Sequence, residues 1–114
     1  IFESGVTFVN SFDDHSFLCG SYDEHIRRFD LRNPREPLDD IKLGGGVWHV
    51  SPTSSGYVSS CMYGGWAMLD GDLSVVSSDS ESGKGLLYGV GTSPSNNIFA
   101  YCTFNDKRVT IMQL

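Results

Sequence analysis

His49, placed directly after Trp48 and just beyond the run Gly44-Gly45-Gly46, is a side chain suited to moving a proton near neutral pH, because imidazole titrates between roughly pH 5 and 8. A neutral His49 could act as a general base; the competing reading is a histidine satisfied within a core. The glycine run also has two readings. The N–H groups around Gly45 and Gly46 could form a small nest for an oxyanion or a carboxylate, or the glycines serve a backbone turn at positive φ. Trp48 and Tyr63 offer ring faces to a cation, or they pack inside the fold. Tyr22, Asp23 and His25 make a second polar group, with Asp106 farther along the chain. Acids in tight turns usually accept local hydrogen bonds, and a histidine that begins a strand can simply face solvent. No Gly-x-Ser-x-Gly elbow, phosphate loop or metal-ligand spacing occurs, so a standard hydrolase apparatus is absent and neither a metal nor a cofactor is expected.

The elements that must position these residues are strands. Cys19, Cys61 and Cys102 fall about 40 residues apart, and the segments around them repeat one pattern. Each unit has an apolar segment, a polar turn, a second segment ending in the cysteine, a tight turn and a third alternating segment. The units run from Val6 to Asp30, from Val47 to Asp70 and from Leu87 to Leu114. Side chains of period two, such as Ile26, Arg28 and Asp30 against Arg27, Phe29 and Leu31, indicate strands rather than helices. Self-similarity at about 40–45 residues is what a WD-type β-propeller produces, one four-stranded blade per period. The expected fold is therefore all-β: two complete four-stranded blades and three strands of a third.

Residues 1–43 are expected to form the first blade. Residues 44–84 form the second, with a flexible acidic, serine-rich end, and 85–114 a partial third that lacks its outer strand. Asn33-Pro34-Arg35-Glu36-Pro37 reads as a turn, leading to an outer strand at Leu38 to Leu43; the second blade's outer strand is expected at Leu73 to Val76. A propeller closes with about 4–8 blades. The chain is thus expected to be part of a larger ring whose remaining blades are its partner, a reading that Ile1, which is not an initiator, supports. In this geometry the turns at Tyr22 to His25, Gly44 to Val47, Tyr63 to Gly65 and Asn105 to Lys107 emerge on one face, which collects the candidates named above.

The 114 residues carry a formal charge of −6, which argues against a nucleic-acid or anionic-membrane surface. No membrane span or signal peptide is evident, and a cytoplasmic location is expected. Three cysteines without ligand or disulfide spacing read as small apolar residues packed between blades, with a nucleophilic Cys61 as the alternative.

Gly20-Ser21-Tyr22-Asp23-Glu24-His25-Ile26-Arg27-Arg28-Phe29-Asp30 resembles the signature half of a WD repeat, with Phe29-Asp30 where Trp-Asp is usual. Together with Gly44-Gly45-Gly46-Val47-Trp48, Cys61-Met62-Tyr63-Gly64-Gly65, Leu87-Tyr88-Gly89 and Ala100 to Asp106, it resembles the C-terminal part of the WD-repeat diphthine methyl ester hydrolases, also called diphthine methyltransferases. The resemblance implies ester hydrolysis of methylated diphthine on translation elongation factor 2, a step of diphthamide biosynthesis. For that chemistry the rim residues read above offer His49 as base, and Tyr22, Asp23, His25, Gly45, Gly46, Trp48 and Tyr63 as substrate contacts. The rings of Trp48 and Tyr63 would then meet the substrate's trimethylammonium group, and the acidic face a basic patch of the factor. The alternative use of such a fold is a non-catalytic scaffold for other proteins.

Overall fold

The computed structural model describes residues 2–93, 95 and 97–114. Pro94 and Asn96, in the polar turn of the third unit, and Ile1 lie outside the described residues. The first sheet comprises β1 (Val6–Asn10), β2 (Ser16–Ser21), β3 (His25–Asp30) and β4 (Asp39–Lys42). The second comprises β5 (His49–Pro52), β6 (Gly56–Ser60), β7 (Trp66–Asp70) and β8 (Val75–Asp79). A 3-10 helix, Glu81–Gly85, precedes the third sheet of β9 (Leu87–Ser93), β10 (Ile98–Thr103) and β11 (Arg108–Gln113). Strand order follows chain order in every sheet and all pairings are antiparallel. Short turns join neighbouring strands, so each sheet is a meander of four, four and three strands, as the repeat pattern predicts.

The sheets stack face to face because strand alternation supplies an apolar set to each gap. Leu18, Ile26 and Phe8 of the first sheet meet Val50, Ala67 and Leu69 of the second, with Val47 and Cys61 between them. Val58 and Trp66 of the second meet Leu87, Val90 and Phe99 of the third. Ile26, Val47, Val58 and Leu87 are completely buried, and burial of each such side chain contributes about 1.5–3 kcal/mol. Hydroxyl groups tie the sheets together near their inner strands. The Thr7 hydroxyl donates to the Val47 carbonyl, Ser51 to the Val90 carbonyl at 3.0 Å and Ser60 to the Tyr88 carbonyl. Farther out, the Arg28 guanidinium donates to the Gly71 carbonyl at 2.7 Å.

Two expectations are corrected, and Cys102 stands apart from the other two cysteines. The second outer strand runs Val75–Asp79 rather than from Leu73, because Leu73 turns at φ 64° and is buried in the core. The Asp70 carboxylate holds that turn by accepting the N–H groups of Asp72 and Ser74, both at 2.9 Å. Residues 81–85 form a 3-10 helix instead of an irregular loop. Cys102 is exposed, unlike the buried Cys19 and Cys61. Phe99 faces the second sheet, so Cys102, three positions on, points the other way, beside Val109 and Ile111 on an open face.

Candidate functional site

The turns after β2, β6 and β10 and the segment entering β5 do meet along one rim. Val47 N–H donates to the Ser21 carbonyl and Trp48 N–H to that of Ser60, each at 3.0 Å. Leu87 N–H donates to the Met62 carbonyl at 3.1 Å, and Phe104 N–H to that of Leu86 at 3.0 Å. Gly45 lies against the β6–β7 turn, where a Cβ would stand 2.2 Å from the Cys61 carbonyl oxygen. Gly46 is confined by Met62 and Tyr22, with a Cβ position 2.8 Å from the Met62 sulfur. The glycines are thus demanded by close approach. None of Gly44, Gly45 and Gly46 takes a positive φ, which corrects the turn reading and removes the alternating backbone conformation that builds a nest.

Asp23 is occupied within its own sheet. Its side chain is 4% exposed and accepts the Ser21 hydroxyl, the N–H groups of Glu3 and His25, both at 3.1 Å, and the Arg27 guanidinium at 3.1 Å. Burial pushes its pKa up, but these donors outweigh burial and bring it down to about 2. Asp40 takes both the His25 ring Nδ1 and Arg27 Nε, the latter at 3.2 Å. Arg27 is thereby neutralised from two sides in a buried position, and Asp23, His25, Arg27 and Asp40 lock β3 to β4 and to the turn before it. In the third sheet Asp106 accepts the Thr103 hydroxyl in the corresponding turn. The residues that follow these acids, Glu24 and Lys107, take the same left-handed conformation, φ 75° and 57°.

His49 starts β5 with its ring edge-on to Phe8, 5.1 Å between centroids at 83°. Burial lowers its pKa from the ordinary imidazole value, which favours the neutral ring. Among the described residues no hydrogen bond fixes the ring, and its apolar seat between β1 and β5 sets its orientation. Cys61 is buried, and burial pushes its thiol up to about 11; that removes it as a nucleophile. Burial likewise raises the Cys19 thiol against the nearby Arg27 charge. Among the described residues no group of three or more metal-ligating side chains is assembled, and no helix is long and apolar enough to cross a membrane.

Trp48 leaves the strand on the rim side and joins a row of rings drawn from all three sheets. Tyr22 stands 5.7 Å from Trp48, Trp48 5.0 Å from Tyr88, and Tyr88 6.0 Å from Phe104, with planes inclined by 69°, 53° and 79°. Tyr63, 64% exposed, stands outside this row. Tyr88 and Phe104 are therefore the members that the sequence reading passed over. Their signal was positional, because Tyr88 occupies in Leu87-Tyr88-Gly89-Val90 the place of Trp48 in Val47-Trp48-His49-Val50.

No protein-family model matches the chain. Curated relatives do match, one of them along nearly the whole sequence: the diphthine methyltransferase homolog of Dictyostelium discoideum is 30% identical over 129 aligned residues, covering 96% of this chain and 35% of that protein. The chain belongs to the diphthine methyltransferase family. The diphthine methyltransferase of Mus musculus is 38% identical over 60 residues, 50% of this chain and 13% of that protein, and that of Schizosaccharomyces pombe 29% over 104 residues, 82% and 32%. The chain thus spans about a third or less of the length of these diphthine methyltransferases. Among solved structures, dihydro-heme d1 dehydrogenase NirN in complex with DHE superposes with a TM-score of 0.63 at 18% identity, over 96% of this chain and 28% of that one. At that identity the likeness concerns fold alone, and the fold shared is the β-propeller.

Proposed function

We propose that this chain forms part of a propeller that hydrolyses the methyl ester of methylated diphthine on translation elongation factor 2, within diphthamide biosynthesis. The observation that carries the reading is the match to diphthine methyltransferases over 96% of the chain. The rim supports it by placing an imidazole whose neutral form burial favours, His49, next to a segment that ends in an exposed aromatic, Trp48. In the proposed step His49 takes a proton from water as the water oxygen bonds to the ester carbonyl carbon. The carbon–methoxy bond then breaks, and the methoxide leaves as methanol with that proton. Tyr22, Trp48 and Tyr63 border the reacting group, and Gly45 and Gly46 shape the shelf beneath it. Asp23 and His25 act through the sheet, fixing the turn that carries Tyr22. The remaining blades of the same propeller are proposed to cover the open face of the third sheet, where Val109 and Ile111 are 73% and 68% exposed.

The test incubates the complete protein with methylated elongation factor 2 and follows methanol release and the mass of the modified peptide. Loss of one methyl ester supports the reading. Unchanged mass with the factor still bound would instead favour the non-catalytic scaffold, a role that the internal pairing of Asp23 and His25 would not impede.

A further inference from the structure

Exposed aromatic rings are commonly scattered; here four of them touch in sequence across three sheets. Tyr22 comes from the β2–β3 turn, Trp48 from the entry to β5, Tyr88 from β9 and Phe104 from the β10–β11 turn. Tyr22 and Trp48 are 46% and 36% exposed although both of their sheets have a neighbour here, so this end of the row is not a core that happens to reach the surface. Rings that served only to fill space between sheets would be covered by the sheets they join.

The inclinations decide what such a row can hold. Neighbouring planes meet at 53° to 79° with centroids 5.0 to 6.0 Å apart, so the row is a folded wall rather than a flat stack. A flat stack suits a planar ligand; inclined walls present several negative ring faces to one compact, rounded cation. The charges beside the row are unevenly placed. Glu24 lies in the same turn as Tyr22, next to Asp23, whose own charge is already met by Arg27. At the other end Lys107 and Arg108 border the groove of about 570 Å³ that Tyr88 and Phe104 line. Asp106 lies in the same turn as Lys107 but is engaged by the Thr103 hydroxyl, so Glu24 at the Tyr22 end and Lys107 with Arg108 at the Phe104 end give the row its charge gradient.

We propose that Tyr22, Trp48 and Tyr88 form a seat for a quaternary ammonium group, with Phe104 as the far wall next to a basic margin. The seat itself stands on ring geometry and charge placement. Its assignment to the ammonium of the modified histidine rests on the esterase reading. Tyr88 and Phe104 become binding residues under this assignment, and Tyr63, which makes no ring contact among the described residues, is left outside it.

The probe is choline, followed through its N-methyl resonance by ligand-observed NMR with the complete protein. Its uncharged isostere, in which carbon replaces nitrogen, is run in parallel. Saturable choline binding is expected, about two- to thirtyfold tighter than that of the isostere, the ratio to which a cation–ring attraction of about 0.5–2 kcal/mol converts. Trp48→Leu and Tyr88→Leu should each weaken choline about tenfold or more, and Val76→Thr, on the exposed outer strand of the second sheet, should leave it unchanged. Because Trp48 also contacts two sheets, Tyr22→Leu at an exposed turn position and Trp48→Phe, which keeps a ring, are measured with it. The proposal is overturned if choline and the isostere bind alike, if neither saturates, or if loss of the Tyr22 and Tyr88 rings has no effect. It is also overturned if an anionic aromatic probe, seated by Lys107 and Arg108, is preferred to choline. Methanol release with no choline binding would sink the seat and leave the esterase reading standing; choline binding with no methanol release would do the opposite.

Discussion

Asp23→Asn keeps the side-chain shape of that residue but removes the charge facing the buried Arg27 guanidinium. The expected loss is about 1.5–3 kcal/mol, because Arg27 keeps Asp40 but loses a charged hydrogen-bond partner; urea denaturation at pH 7 measures it. The pH dependence follows from the same contacts. The folded-state pKa of Asp23 lies at about 2, below its ordinary 3.8, so the stabilisation is complete above pH 4 and fades as acid is added down through about pH 2. The difference between the parent chain and Asp23→Asn should therefore shrink over that window. His49 is lowered instead by burial. If it is the base, the acid limb of the pH–rate profile has its midpoint below 6.5, and His49→Ala slows methanol release by about 10²-fold or more with the melting temperature nearly unchanged. The local role of Asp23 was legible in the sequence because a turn acid meets its donors within a few residues. The contact of Tyr88 with Trp48 was not, because it depends on how far apart two sheets settle.

Alternation made the strands readable, and β4 begins within a residue of the position expected from the proline turn before it. The outer strand β8 was misplaced for a physical reason: Leu73-Ser74-Val75-Val76 looks like one apolar segment, yet Asp70 captures two N–H groups and turns Leu73 inward before the strand starts. Leu73→Ala is accordingly expected to cost about 2–5 kcal/mol, a core truncation rather than an edge-strand change. The glycine shelf offers a sharper test of close packing. A Cβ at Gly45 would meet backbone of the β6–β7 turn, which cannot rotate away as a side chain would. Gly45→Ala should destabilise the chain by about 1–3 kcal/mol or more and move the amide resonances of Cys61 and Gly64. Nothing in Gly44-Gly45-Gly46 itself distinguished this need from a nest, since both ask for the same residue.

At the scale of the molecule, the repeat of about 40 residues was enough to foresee stacked sheets, while the exposure of Cys102 depended on which side of the third sheet has a neighbour. The proposed additional blade makes a direct prediction there. A thiol reagent should modify Cys102 quickly in this chain and slowly in the complete protein, with mass spectrometry locating the label. Cys61, with its thiol at about 11, should react slowly in both. The row of rings has a further consequence. Tyr22, Trp48 and Tyr88 each belong to a different sheet, so no single repeat possesses the row, and prising any neighbour apart dismantles it. Whatever occupies it clamps separate repeats at once, and by mass action its occupancy resists their parting. Under the proposed reading, cation binding would therefore also report assembly: until these three repeats have docked, there is no row for a cation to enter.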